Sequence, residues 1–348
     1  MMELNDFKNR LKSGDVGGCY IFAGEEDYLK KYYLQSLRAA VIGEDCFDPF
    51  AHSVYDGPEL DFAALEESVK SPPMMSDRKL IEWRYPNFDK MKEGELEALE
   101  SLLSLLAANS SVTLAFLVSD GDLELGTPKR EGKFPKRFGK SINILRFDRS
   151  SDAQLLAWLK KHFDANGVAS GRTELEALIF RSGHSMTALH SEVGKLCAFA
   201  ISRAQRENTS AHITVADVEL VASSIPESEA FALSNAILGR DKKAAYLALE
   251  EMKQRRIDPI VILAMMAKTY NDIATVSMML REGLDHSDLA AATGMNAYRL
   301  KLCLAAAKSF DRGRGVRILS ELSRVDVSSK FGGISGYTAV DIFVAKCL

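Results

Sequence analysis

What most restricts the fold of this chain is the place where its strands stop. Short apolar runs suited to strands lie at Cys19–Ala23, Ala51–Tyr55, Lys79–Trp83, Val112–Ser119 and Ile142–Phe147. Helical patterns fall between them, as at Glu59–Val69 and Glu93–Leu106, with apolar residues every third or fourth position. This alternation predicts an α/β domain with a largely parallel sheet. Beyond Phe147 the pattern is helical. Ser151-Asp-Ala-Gln154 reads as a capping box, and Leu155, Leu156, Trp158, Leu159 and Phe163 form one apolar face behind it. Thr173-Glu-Leu-Glu176 reads as a second capping box, a third helix carries Leu189, Val193 and Leu196, and a fourth begins near Thr214. Ser223–Ser228 reads as a turn or linker. From Phe231 onward the chain is helical, with breaks at Gly239, Asp258-Pro259, Gly283 and Gly332-Gly333. The expected organisation is an α/β domain over 1–147, a small helical domain over 148–224 and a larger helical domain over 225–348.

Composition narrows the classes of function. With 348 residues, 47% of them hydrophobic and 26% charged, the chain can build several cores. Its start, MMELNDFKNR, has no apolar signal segment, and the apolar run Ile260–Ala267 is too short to span a bilayer. Cys19, Cys46, Cys197, Cys303 and Cys347 are scattered, which predicts reduced thiols in a cytoplasmic protein with neither disulfide nor zinc site. The histidines show no metal-ligand spacing. A net charge of −4 argues against tight autonomous binding to a nucleic-acid backbone.

The stretch CYIFAGEEDYLKKYYLQSL has the frame of a phosphate-binding loop: a strand, Gly24, then a helix. A G-x-x-x-x-G-K-[ST] loop would need Gly at Leu29 and Ser or Thr at Lys31, and only Gly24 and Lys30 match. Between them stand Glu25, Glu26 and Asp27. A carboxylate about 4 Å from a phosphate oxygen costs roughly 4 kcal/mol at an effective dielectric near 20. The same acids at a helix N-terminus each contribute about 0.3–1 kcal/mol through the helix dipole. The loop Gly24, Glu25, Glu26, Asp27, Leu29, Lys30, Lys31 therefore reads as a degenerate nucleotide site, and no cofactor is expected. A divergent ATPase using Lys30 is the alternative.

Three other segments carry candidate chemistry. In Ser71-Pro-Pro-Met-Met-Ser-Asp-Arg78 the prolines forbid a helix, and two adjacent methionines follow in a surface connection. Either both tuck under the sheet or they protrude as an apolar anchor for a partner's pocket. Thr127–Lys140 carries six Lys or Arg against one Glu, a solvated connection or a phosphate contact. The segment Ser287–Lys308 resembles a helix–turn–helix, with Ser287 as cap, Gly294 in the turn, and Tyr298, Arg299 and Lys301 on the second helix. It is either a DNA-binding regulator's reading head or a packed hairpin. No catalytic constellation and no metal cluster emerges, and the Lys79–Trp83 strand offers one acid, Glu82, where an ATPase strand would end in paired acids.

Taken in order, these departures resemble one family, the bacterial DNA polymerase III delta subunit. GGCYIFAGEEDYLKKYYLQSLRAA is similar to its opening, and SPPMMSDRKLIEW sits where it has two large apolar residues before a strand. LRFDRSSDAQLLAWLKKHFDANG and LHSEVGKLCAF resemble its second domain, and AFALSNAILGRDKKAAYLALEEM with DLAAATGM…YRLKLCLAAAK resembles its collar. The resemblance implies an AAA+-like, P-loop NTPase-like first domain that binds no ATP, a small lid domain and a helical collar. It implies a non-catalytic clamp loader subunit within a DNA-directed DNA polymerase, a nucleotidyltransferase. Its implied partners are the sliding clamp (beta subunit), the gamma/tau and delta-prime subunits, and primed DNA within the complex, with no membrane. The implied clamp-binding residues are Pro73, Met74 and Met75, where the family often carries Leu and Phe. Ile142-Asn-Ile144 stands where related motor subunits place an arginine finger, so none is expected. Which collar residues face DNA is not set by the resemblance; Phe331 and Tyr337, beside Gly332, Gly333 and Gly336, are candidates for a reach toward a template strand.

Overall fold

The computed structural model describes residues 1–43, 48–127, 130–308, 310–331, 333–334 and 336–348, without the side chains of His286, Ser287 and Arg312. The chain divides into two compact units, Met1–Ser150 and Ser151–Leu348.

In the first unit, helix α1 (Leu4–Ser13) leads into strand β1 (Gly18–Ala23) and helix α2 (Asp27–Ile42). Strand β2 (His52–Asp56), helix α3 (Phe62–Lys70), strand β3 (Lys79–Arg84), helix α4 (Glu93–Ala107) and strand β4 (Val112–Leu117) continue the alternation. A two-residue hairpin, β5 (Gly126–Thr127) with β6 (Arg130–Glu131), precedes helix α5 (Lys133–Phe138) and strand β7 (Ile142–Arg146). Among the described residues the main sheet has the order β2-β3-β4-β1-β7, with every pairing parallel. Apolar side chains from both faces of β1 and β4 are buried, as continuous runs such as Tyr20-Ile-Phe22 require in a sheet covered on both sides. Leu99, Leu102 and Phe116 lie in one core layer, and Phe7, Leu34 and Leu37 in the other.

The five expected strands are present with ends within two residues of their sequence limits. The helix α1 and the hairpin were not foreseen, and the basic segment is not simply solvated. Its Phe134 and Phe138 are buried in the core, while Arg137 pairs with Glu93 and Glu100 of α4 at 2.6 and 2.7 Å. A six-residue amphipathic helix is too short for its period to stand out against six cations.

The second unit is helical: α6 (Asp152–Ala165), α7 (Arg172–Ser182), α8 (Met186–Glu207), α9 (Val215–Val221), α10 (Pro226–Gly239), α11 (Lys242–Gln254) and α12 (Pro259–Arg281). Helices α13 (His286–Thr293), α14 (Ala297–Ala307), α15 (Arg312–Lys330) and α16 (Tyr337–Cys347) complete it. Ser151 and Gln154 cap α6 reciprocally, and Thr214 with Asp217 does the same for α9. The second expected box fails. Helix α7 starts earlier, with Gly171 at the N-cap, and Arg172 pairs with Glu176 at 2.7 Å along the helix. Pro226 at the first helical position starts α10 inside the expected linker. A large core joins Leu233, Ile237, Leu263, Met266, Tyr270 and Phe343. Arg314 donates to the carbonyls of Ile237, Leu238 and Cys347, which supplies partners to the open ends of α10 and α16.

Candidate functional site

Two loops of the first unit carry the residues around Gly24 and the methionine pair, and they lie at opposite ends of the sheet. Gly24 follows the carboxyl end of β1. Residues 71–78 precede the amino end of β3, and the strands run parallel.

Because β1 is flanked by β4 and β7, Gly24 stands where open α/β sheets place their ligands. The groups that would hold a phosphate there are committed within the chain. Gly24 has φ +108°, and a Cβ added to it would lie 2.4 Å from the Phe147 carbonyl oxygen. That carbonyl accepts the Glu26 amide at 3.0 Å. The backbone after β7 thus packs directly against Gly24 and takes the Glu26 amide. Lys30 is fully buried; its ammonium donates to the Val118 carbonyl at 2.8 Å and pairs with Asp27 at 2.8 Å. Glu26 is buried, and burial, with Asp27 beside it, pushes its carboxyl above the ordinary glutamate range. Glu25 faces Arg149 at 3.8 Å, Leu29 packs on the core and Lys31 is exposed. On β3, Glu82 is buried between His52 Nε2 (2.8 Å) and Arg84 (2.9 Å). Burial alone would raise its carboxyl, yet the hydrogen bonds from His52 and Arg84 hold it below the usual range.

The other loop is braced from beneath and apolar on top. Met74 and Met75 are 73% and 75% exposed. Their backbone is fixed at several points. Asp48 Oδ2 accepts the amides of Met74, Met75 and Ser76 at 3.1, 2.8 and 3.0 Å. The buried Lys79 donates to the carbonyls of Ser68 (2.7 Å) and Ser71 (3.3 Å), and Arg78 donates to the Gly14 carbonyl at 2.7 Å. Pro72 and Pro73 restrict the ascending arm. Of the two arrangements open from sequence, both methionines protrude. Asp48 was not singled out beforehand; its role depends on β2 and β3 being neighbours, which no local spacing reveals.

In the second unit the helix–turn–helix-like segment takes the packed-hairpin form, one of its two expected arrangements. Gly294 turns with φ +63°, but Arg299 is buried and bonded to Asp272 and Glu227, each at 2.7 Å, with Tyr298 and Leu300 buried beside it. Ser287 as a cap lies outside the described side chains. Tyr337 also turns inward, donating to the Ile257 carbonyl at 2.9 Å, while Phe331 is 84% exposed. Cys19, Cys197 and Cys303 are buried free thiols, Cys347 is half-buried, and Cys46 lies outside the described residues. Among the described residues, no group of His, Cys, Asp or Glu forms a metal site, and no helix is long and apolar enough to cross a membrane.

Among the described residues, a five-stranded parallel sheet between helices, followed by a helical second unit, gives the α/β-then-α architecture expected from the sequence. Residues 20–124 match the family model for the DNA polymerase III delta subunit, and residues 227–347 match the model for that subunit's C-terminal domain. The chain belongs to the DNA polymerase III delta subunit family. No curated protein sequence matches it. Among solved structures it resembles the Bacillus subtilis DNA clamp loader delta protein YqeN, at 20% identity and TM-score 0.54 over 99% of each chain. It also matches the Thermotoga maritima RuvB Holliday junction branch migration motor, at 15% identity and TM-score 0.40 over 68% of this chain and 75% of that one.

Proposed function

We propose that this chain is the subunit of a clamp loader that grips the sliding clamp and opens it for loading onto primed DNA, through Met74 and Met75. The observation that carries the reading is the pair of exposed thioether side chains on a loop whose backbone is held by Asp48, Lys79 and Arg78. Two adjacent apolar side chains left in water are unfavourable by themselves, and a partner's pocket removes that cost. Each methionine buried contributes about 1.5–3 kcal/mol. The ring is an equilibrium between closed and open forms, and a ligand opens it only by binding the open form more tightly. A preference of about 1.4 kcal/mol already shifts that equilibrium tenfold. The braced loop favours such discrimination, because a rigid contact surface cannot follow both forms of the ring equally well.

The chain itself supplies no fuel. Lys30 and the Glu26 amide are engaged by Val118, Asp27 and Phe147, so ATP handling falls to neighbouring subunits of the complex. Residues 1–147 act as the clamp-binding domain, 148–224 as the lid and 225–348 as the collar that joins the ring of subunits. Replacing Met74 and Met75 together with Ala is expected to leave the thermal transition unchanged and to weaken clamp binding by about 2 kcal/mol or more. Calorimetric titration against the clamp of the same organism reads this directly, and unchanged affinity removes the anchor.

A further inference from the structure

We infer that the clamp-binding surface is a grip of three apolar side chains, Phe50 with Met74 and Met75, and that Asp48 is the positioning residue that holds all three together. The inference rests on the reading of Met74 and Met75 as the clamp contact. Asp48 uses both carboxylate oxygens. Oδ2 takes the amides of Met74, Met75 and Ser76, and Oδ1 takes the amide of Phe50 at 2.9 Å. The backbones that carry Phe50 and the two methionines therefore converge on one group.

The topology explains the convergence. His52 of β2 pairs with Leu80 of β3, so the residues leading into both strands emerge side by side at the amino end of the sheet. The Leu80 amide donating to the Ala51 carbonyl at 2.8 Å extends that pairing toward Asp48. Phe50 is 54% exposed, although a large aromatic side chain has much to gain from burial. Its neighbour Ala51 is fully buried, as the end of a sheet strand should be. Asp48 is itself buried, while Phe50, Met74 and Met75 are exposed.

Charge-assisted bonds to successive amides are strong and directional, and they fix the loop before any partner arrives. The Met75 amide, with those of Phe50 and Ser76, keeps the Asp48 carboxyl below the usual aspartate range, so it remains an acceptor at neutral pH. An aromatic residue beside two flexible thioethers gives the grip a rigid member, and aromatic residues are prominent among those that dominate interfaces.

The test is calorimetric titration of the full chain with the sliding clamp of the same organism, paired with thermal melts. Phe50→Ala is expected to weaken binding about tenfold without moving the melting temperature. Asp48→Asn keeps the shape, removes the charge, and is expected to weaken binding to a similar extent. Amide hydrogen exchange should then accelerate at residues 74–76 and not in the strands. Combining Asp48→Asn with Met75→Ala should cost at least about threefold less than the product of the separate losses, because one acts through the other. If the Met74→Ala/Met75→Ala protein binds as well as the parent, the underlying clamp reading fails. If that protein is weakened but Phe50→Ala binds within about twofold of the parent, the three-residue grip fails. Multiplicative losses for Asp48→Asn and Met75→Ala remove the positioning role.

Discussion

The loop after β1 and the loop before β3 use the same device to opposite ends. In each, backbone amides meet an acceptor from the chain itself: the Phe147 carbonyl for Glu26, the Asp48 carboxylate for Met74, Met75 and Ser76. At Gly24 the result is a loop packed on the Phe147 backbone, with Lys30 drawn inward. At the methionines the acceptor lies underneath, so satisfying the amides turns the side chains outward. A loop's chemistry is thus decided less by its own residues than by the side from which its polar groups are satisfied.

The largest expected effect tests the closed loop. Gly24→Ala adds a Cβ 2.4 Å from a backbone oxygen at a residue with φ +108°, and neither the strand nor the Phe147 backbone is a flexible side chain that can yield. A loss of about 3 kcal/mol or more in denaturant unfolding is expected, from strain and overpacking together. In an open phosphate loop the same glycine serves a ligand. A variant as stable as the parent would mean the closure is soft, and the contrast with the braced loop would weaken.

Lys30→Met follows in size. A lysine held ready for phosphate is a liability to stability, and removing it from such a site commonly helps. Here the ammonium supplies a donor to the buried Val118 carbonyl, and removing one partner leaves that oxygen unsatisfied. The expected cost is about 1–2 kcal/mol. Millimolar ATP with magnesium should move the melting temperature of neither protein. A Met variant that is more stable than the parent, or one whose parent is stabilised by ATP, would reopen the loop as a nucleotide site.

The ease of reading these two loops from sequence was unequal, for a physical reason. The Gly24 loop declares itself through residues adjacent in the chain, because a phosphate loop is a local motif and its loss is local too. The central strands were legible for the same reason: β1 and β4 bury both faces and leave a continuous apolar signature. Met74 and Met75 were visible as an anomaly, but their direction was not, since an extended segment can turn either residue inward. What decides it is Asp48, some 26 residues upstream and brought near only by the pairing of β2 with β3. Arg299 shows the converse. On the sequence it is a cation on a recognition-like helix, yet Asp272 and Glu227, on two other helices, draw it into the core.

The smallest expected effect also divides the two loops, because their acids shift in opposite directions. Glu26 is raised by burial, so the native state holds its proton more tightly than the unfolded chain does. Its contribution therefore favours the fold below the unfolded glutamate range and is lost as pH rises through the folded value. Asp48 is lowered, mainly by the Met75 amide, so its contribution is present above the unfolded aspartate range and disappears as pH falls through the folded value. At neutral pH Glu26→Gln should be neutral or raise the melting temperature by about 1–2 °C, since it removes a charge that burial disfavours. Asp48→Asn should lower it, because four backbone amides lose their charged acceptor, and should never raise it. Between pH 7 and pH 4 the Glu26→Gln protein should lose the part of the pH dependence that favours the acid side, while the Asp48→Asn protein keeps it. If both substitutions moved stability in the same direction, the two carboxylates would be doing the same job. The distinction between the two loops would then have no electrostatic basis.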